Sequence, residues 1–180
     1  MNPHEQDSDV LALQIGRPLR ATSTVRRRCN QGLPIVVQVP PILDTGEPFP
    51  TRYWLTCPLA HRRIARLEAE GGVRAAQAKL EDDQALAAQL ASAHVRYERE
   101  RDASLSPGVY PRPSGGVGGS SGGVKCLHAH YADHVAGNTN PIGLDVARTI
   151  GEPGCTVPCV MHVDGGRFER NPDWRETDAL

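Results

Sequence analysis

The chain has 180 residues, a formal net charge of −1 and an apolar fraction of 39%. A chain of this length is expected to form one domain, and it can bury a core without the help of disulfides. The nearly neutral charge excludes a global electrostatic attraction to nucleic acid or to a membrane surface. Only 4% of the residues are aromatic, so the core must be built mainly from Leu, Val, Ile and Ala.

The first nine residues are polar and acidic, and they lack the apolar stretch that is typical of a signal peptide. No apolar run approaches the roughly 20 residues that a membrane span needs. We therefore expect a cytoplasmic protein that does not contact a membrane. In that compartment, its five cysteines are expected to be metal ligands, reactive thiols or core residues rather than disulfides.

The first half of the predicted domain is a short helix followed by strands. Residues 8–15 have helical apolar spacing, and Gly16 can end that helix. Three β-rich runs follow at residues 21–28, 35–39 and 52–56, separated by turn residues. The simplest arrangement is a three-stranded antiparallel meander, which needs helices to cover one face.

The remainder of the chain is predicted to be mainly helical. The predicted helices are one that starts at Pro58 and ends before Gly71-Gly72, one over residues 73–80, one capped by Asp82 or Asp83 that runs to about Ser104, one over residues 124–136 and one over residues 143–150. Residues 106–123 are rich in Pro, Gly and Ser and are predicted to form a flexible loop. We predict a single α+β domain over residues 1–165, a small three-stranded antiparallel sheet covered by several helices, with 166–180 as a frayed C-terminal tail.

The stretch 124–134 contains the most chemically informative residues, Cys126, His128, His130 and His134. On an ideal helix, Cys126 and His130 lie one turn apart on the same side, and His134 continues that line. His128 points roughly the opposite way unless the helix begins after it. The i, i+4 spacing is how a helix offers two ligands to one metal ion.

A closed zinc or iron–sulfur site needs about four ligands, so other segments must contribute. Cys29 and Cys57 end the first and third predicted strands. Those two strand ends point the same way in a meander, which can put both thiols on one rim, where the helix that carries Cys126 can dock. Cys155 and Cys159 can complete or guard such a site, although an ordinary role as loop or core cysteines is favoured.

Each of these residues also has a purely structural interpretation. A buried free cysteine packs as a small hydrophobe, and Cys29 or Cys57 taken singly is as readily a core residue as a ligand. His128 alone is compatible with a structural histidine. The chain has no paired CxxC motif, so the combination of Cys126 with neighbouring histidines is what favours function over packing.

Several short motifs occur in order along the chain. They are Gly16-Arg17-Pro18, Arg28-Cys29 with Gly32-Leu33-Pro34, Pro48-Phe49-Pro50-Thr51, Tyr53-Trp54-Leu55-Thr56-Cys57-Pro58, Arg66-Leu67-Glu68, Lys125-Cys126-Leu127-His128-Ala129 and Asn140-Pro141-Ile142-Gly143. Over about residues 10 to 160 the sequence resembles the bacterial, largely actinobacterial, family called domain of unknown function 501. The resemblance implies no established activity. It does imply that Cys29, Cys57, Cys126 and His128 occupy motif positions, so that His128 competes with His130 as a ligand.

The leading hypothesis is a metal or iron–sulfur protein with a structural or redox-sensing role. Its ligands would be the thiolates of Cys29, Cys57 and Cys126, with His128, His130 or His134 as the fourth. Thiolate and imidazole together favour zinc or iron, so the expected cofactor is a zinc ion or an iron–sulfur cluster.

Two alternatives belong to other functional classes. In one, the protein is a non-catalytic interaction module that presents its long helix and loop to a protein partner, with the cysteines in the core. In the other, it is a metal-free thiol enzyme in which Cys126, activated by a helix N-terminus and a histidine, is the nucleophile. The basic run within residues 17–28 does not support nucleic-acid binding, because such runs are more often solvated strand edges. The sequence indicates no substrate.

Overall fold

The computed structural model describes residues 3–177, which form six α-helices and two antiparallel sheets. The elements are α1 (Pro3–Ile15), β1 (Thr24–Arg28), β2 (Pro34–Gln38), β3 (Tyr53–Leu55), α2 (Pro58–Ala69), α3 (Gly72–Asp82), α4 (Gln84–Asp102), α5 (Leu127–Val135), α6 (Pro141–Ile150), β4 (Val160–Val163) and β5 (Arg167–Arg170). None of the helices within these residues combines the length and the apolar character that a membrane span requires.

The larger sheet has the strand order β1–β2–β3, so the predicted antiparallel meander and the α+β class are confirmed. β2 is the central strand because its β-branched side chains Ile35, Val36 and Val37 are all buried. Val36 pairs with Leu55 of β3, and Val37 pairs with Val25 of β1. The outer strand β1 is mostly exposed, so the helices pack against the other parts of the sheet.

The helix α5 lies at the centre of the helical layer, in contact with β3, α2 and α6. Its side chains Leu127, Tyr131 and Ala132 are buried in the core. α4 is tied to the sheet by Tyr97, whose hydroxyl accepts a hydrogen bond from the backbone N–H of Arg52 at 2.5 Å. Two helices and one strand therefore fix the position of α5, which carries most of the predicted site residues.

The Pro-, Gly- and Ser-rich segment 106–123 is anchored at several points. Val117 begins a short 3-10 turn and is fully buried. The buried side chain of Arg101 donates hydrogen bonds to the backbone carbonyls of Pro113, at 3.2 Å, and of Gly115. The flexibility of the rest of this segment stays a prediction.

The C-terminal part of the chain contains a hairpin that the sequence analysis did not anticipate. β4 and β5 pair from Val160↔Arg170 to Val163↔Arg167, so the predicted frayed tail was wrong for residues 167–170. Each strand has only four residues, and both are stabilised by contacts with α1 that no local pattern reveals. Trp174 packs against the core, whereas residues 178–180 of the predicted tail lie outside the described residues.

Replacing Arg101 by Met is expected to lower the free energy of unfolding by about 2–4 kcal/mol, because it leaves one buried and one half-buried carbonyl without their donor. Urea denaturation measures this loss, and hydrogen exchange should become faster at residues 113–120. Arg99→Met, an exposed change on the same helix, is the control and should stay within about 0.5 kcal/mol. Equal stabilities for the two variants would show that Arg101 does not anchor the segment.

Candidate functional site

The first structural feature of the site is that α5 begins after Cys126, not at Val124. Cys126 is the N-cap residue with extended backbone angles, φ −155° and ψ 124°. The predicted helical-wheel pairing of Cys126 with His130 was wrong for this reason, since an N-cap side chain does not follow the helical periodicity. The Cys126 side chain instead meets the first turn, where its Sγ lies 3.8 Å from Nδ1 of His128.

Glu68, from the last turn of α2, completes this junction. Its Oε1 accepts a hydrogen bond from the backbone N–H of Leu127 at 2.6 Å and lies 3.2 Å from Nδ1 of His128. A carboxylate at this position stabilises a helix N-terminus. Together, Glu68, Cys126 and His128 place one oxygen, one sulfur and one nitrogen within 4.8 Å of one another.

The environment of His128 fixes the role of each ring nitrogen. Nε2 lies 3.2 Å from the backbone carbonyl of His61, and because a carbonyl only accepts, Nε2 must carry a proton. The other ring nitrogen, Nδ1, faces both Cys126 and Glu68. Burial opposes a positive charge on the ring, but the Cys126 side chain and the Glu68 carboxylate outweigh it and raise the pKa of His128.

His61 is a second imidazole beside this cluster. Its ring centroid lies 4.5 Å from that of His128. Burial and the neighbouring His128 lower the pKa of His61, although Glu68 acts in the opposite direction. The junction is partly accessible to solvent, since the side chains of His128 and Glu68 are 17% and 26% exposed. It offers one oxygen, one sulfur and one nitrogen donor at half-buried positions.

His130, a predicted ligand, is instead part of a buried structural network. Its Nδ1 lies within 3.3 Å of the side-chain amide of Asn140, and its ring packs edge-on against His94 at 5.7 Å. Asn140 in turn donates to the buried Asp133 carboxylate, which also pairs with Arg96 at 2.6 Å. Burial lowers the pKa of His130 to about 4, despite the Asn140 contact. The ring is therefore neutral at physiological pH.

His134 is also separated from Cys126, because it lies in the last turn of α5. The eight positions from Cys126 to His134 correspond to roughly 12 Å of helical rise. His134 lines a cleft of about 640 Å³ together with Asn138, Asn140 and Asp145. Neither His130 nor His134 joins the cluster at the helix N-terminus.

Cys29 and Cys57 lie close together, as the meander predicts for the ends of the first and third strands. They line one small cavity, and Cys155 and Cys159 line it too. All four cysteines are free thiols.

This cavity does not include Cys126, so the structure does not bring the three predicted thiolate ligands together. Cys57 is the N-cap residue of α2, whereas Glu68 lies in its last turn. About 11 residues of helix, roughly 16 Å of rise, separate the two positions. Among the described residues, the sulfurs of Cys29, Cys57 and Cys126 do not lie within 4.8 Å of one another, and Cys126 instead meets Glu68 in the last turn of α2.

Glu68 was not among the site residues predicted from the sequence. No spacing rule links it to Cys126, which is 58 positions further along the chain, and carboxylates at the ends of helices are common on protein surfaces. The available signal was the motif Arg66-Leu67-Glu68, which recurs with the Cys126 motif in the family resemblance.

These features define a small α+β protein with a Glu/Cys/His cluster at a helix junction. The family model described as "Protein of unknown function (DUF501)" matches residues 25–148, and the chain belongs to this family. The match includes Glu68, Cys126 and His128, and it ends before Cys155 and Cys159. No curated protein and no solved structure matches the chain.

The buried His130 is expected to make the protein sensitive to acid. Its pKa falls from 6.5 to about 4 on folding, so below pH 6.5 the unfolded chain gains a proton that the folded chain does not. Stability should therefore fall by up to roughly 1.4 kcal/mol per pH unit between these values as the pH decreases.

Urea unfolding at pH 7, 6 and 5 tests this expectation, with His130→Gln predicted to show a shallower loss of stability than the wild type. His162→Gln, at an exposed strand position, is the control and should keep the wild-type slope. A variant at position 130 with an unchanged slope would show that another group causes the acid sensitivity.

Proposed function

We propose that this protein binds a transition-metal ion, preferentially zinc, through Glu68, Cys126 and His128, and that the ion clamps α5 onto α2. The observation that carries the proposal is the convergence of three chemically different donor atoms within 4.8 Å of one another. Zinc accepts carboxylate oxygen, thiolate sulfur and imidazole nitrogen as ligands.

The distances within the cluster support a tetrahedral ion. Metal bonds of 2.0–2.3 Å place neighbouring ligand atoms about 3.3–3.8 Å apart in tetrahedral geometry. Nδ1 of His128 lies 3.2 Å from Oε1 of Glu68 and 3.8 Å from Sγ of Cys126. Little rearrangement would be needed around His128 for an ion to bind.

The hydrogen bond on the far side of the His128 ring also supports the proposal. Histidines that bind metal usually donate their other ring N–H to a carbonyl or carboxylate, which fixes the tautomer. Nε2 of His128 has such a partner in the carbonyl of His61. When the ring is protonated, the proton on Nδ1 lies between two acidic groups, in the position that a metal ion would take.

The charge balance suits a divalent ion. One carboxylate and one thiolate supply two negative charges, and the neutral imidazole adds none, so a bound Zn²⁺ gives a neutral site. Three protein ligands leave a fourth position for water or for His61. The site joins the ends of two packed helices, which supports a structural or sensing role for the ion.

A second candidate function follows from the contact between Cys126 and His128. A thiol at a helix N-terminus beside a histidine is the arrangement that activates a nucleophilic cysteine. In this alternative the cluster holds no metal, and Cys126 reacts directly. The third alternative, a protein-interaction module, stays a prediction.

Zinc titration by calorimetry, under reducing conditions, tests the metal proposal. Glu68→Gln, Cys126→Ser and His128→Gln should each weaken binding at this site by about tenfold to a hundredfold or more, because each removes a donor. Bound zinc should also raise the melting temperature of the wild type, since it binds only the folded state.

Two exposed residues provide matched controls for these variants. Glu70→Gln lies on the same helix end as Glu68, and His162→Gln removes a histidine on β4. Both should bind zinc like the wild type. Equal affinities for all five variants would contradict the proposed ligands, and rapid alkylation of Cys126 that zinc does not slow would favour the thiol enzyme.

A further inference from the structure

Four of the five cysteines gather at the opposite end of α2 from the Glu68 cluster. Cys29 follows β1, Cys57 precedes α2, and Cys155 and Cys159 lie between α6 and β4. All four line one cavity of about 10 Å³, which is room for one water-sized particle. Segments that are distant in sequence thus bring four soft ligands to a single small space.

Hydrogen bonds anchor the Cys155 segment against the turn that follows Cys29. The side chains of Asn30 and Gln31 both donate to the backbone carbonyl of Cys155, at 2.9 and 2.8 Å. The backbone N–H of Cys155 donates to Oδ1 of Asn30 at 3.3 Å. The approach of these two segments is therefore specifically stabilised.

N–H donors lie around the thiols. Nε2 of Gln14 lies 3.6 Å from Sγ of Cys159. The backbone N–H groups of Ala60 and Leu59 favour the thiolate of Cys57, but burial outweighs them and raises its pKa to about 12. Without a cation, Cys57 is a neutral thiol and a poor nucleophile, so an oxidoreductase or transferase role at this position is not favoured.

Two buried polar atoms on residues that line this cavity have no hydrogen-bond partner among the described residues. They are Oε1 of Gln14 and Nε1 of Trp174. Buried polar atoms are nearly always satisfied, and an exception at a cavity indicates an absent ion, water or ligand. The indole N–H is a donor only and needs an acceptor, and both residues also line a neighbouring cleft of about 390 Å³.

We propose that Cys29, Cys57, Cys155 and Cys159 form a second metal site, a closed tetrahedral zinc site with four thiolate ligands. Binding releases four protons to solvent and transfers no electrons, since zinc has no redox chemistry in proteins. The resulting charge of −2 is offset by the surrounding N–H donors of Gln14 and α2.

The spacing of the sulfurs indicates how the site would bind its ion. No three of them lie within 4.8 Å of one another, whereas thiolates on one zinc ion are about 3.8 Å apart. The ion must therefore draw the thiols together. Residues 151–159 have no helix or strand, so Cys159, which lies beyond the anchored Cys155, is on a segment that can make this adjustment.

The site would connect the three-stranded sheet to the C-terminal hairpin of β4 and β5. Cys29 and Cys57 belong to the turns of the larger sheet, and Cys159 directly precedes β4. A metal bond across them would fix the hairpin to the domain. It would add to the contacts with α1 that already hold the hairpin in place.

Metal analysis of protein purified without chelators tests this inference separately from the proposed function. The double variant C126S/H128Q lacks two ligands of the first site and should retain about one equivalent of zinc. The Cys159→Ser variant, changed at a half-buried position, should contain about one equivalent of zinc less than the wild type. Zinc added to the stripped double variant should slow hydrogen exchange at residues 151–159.

The outcomes are distinguishable. Zinc that is retained by C126S/H128Q and lost in C126S/H128Q/C159S supports the four-cysteine site, even if the first site proves empty. The inference is overturned if the folded C126S/H128Q protein contains less than about 0.1 equivalents of zinc and binds no added zinc. Iron with acid-labile sulfide at these cysteines would also overturn it, because the centre would then be an iron–sulfur cluster. Circular dichroism verifies that each variant is folded.

Discussion

The hydrogen bond between Glu68 and the backbone of Leu127 determines where α5 begins and what lies at its start. The carboxylate accepts the N–H at 2.6 Å, in the position where an acceptor offsets the unpaired amides of a first helical turn. Because the acceptor comes from α2, the start of α5 is fixed to a neighbouring helix. Cys126 and His128, on either side of Leu127, are brought to Glu68 by the same contact.

The packing around α5 gives this junction its rigidity. α5 contacts β3, α2 and α6, and its buried Asp133 belongs to a network in which it pairs with Arg96 and Asn140. His130 belongs to that network, which explains why a histidine in the richest motif of the chain is structural. The polar residues of one short helix thus divide between its buried interior face and its solvent-accessible N-terminus.

The helix α2 separates two groups of soft ligands. Cys57 lies at its N-terminus and Glu68 in its last turn. The sequence places all these residues in family motifs or in a Cys-rich loop, and a single centre is the simplest interpretation of that pattern. The structure instead separates them, because Cys126 meets Glu68 and His128 while the other four cysteines line one cavity. Two separate centres, each joining segments that are distant in the chain, are consistent with the same residues.

The elements that depend on local pattern were predictable from the sequence. The buried run Ile35-Val36-Val37 identified the central strand. Asp82 or Asp83 was predicted to cap a helix, and Asp83 does so by accepting hydrogen bonds from the N–H groups of Ala85 and Leu86. The features that depend on tertiary contacts were not predictable. The hairpin of β4 and β5 is stabilised by α1, and the start of α5 is set by Glu68, which is 59 positions away from Leu127.

A crystal structure of the zinc-loaded protein, with anomalous data collected on both sides of the zinc absorption edge, tests the central claim most directly. The account predicts an anomalous peak between Oε1 or Oε2 of Glu68, Sγ of Cys126 and Nδ1 of His128, at bonding distances of about 2.0–2.3 Å. A zinc-saturated crystal with no peak at this junction would contradict it.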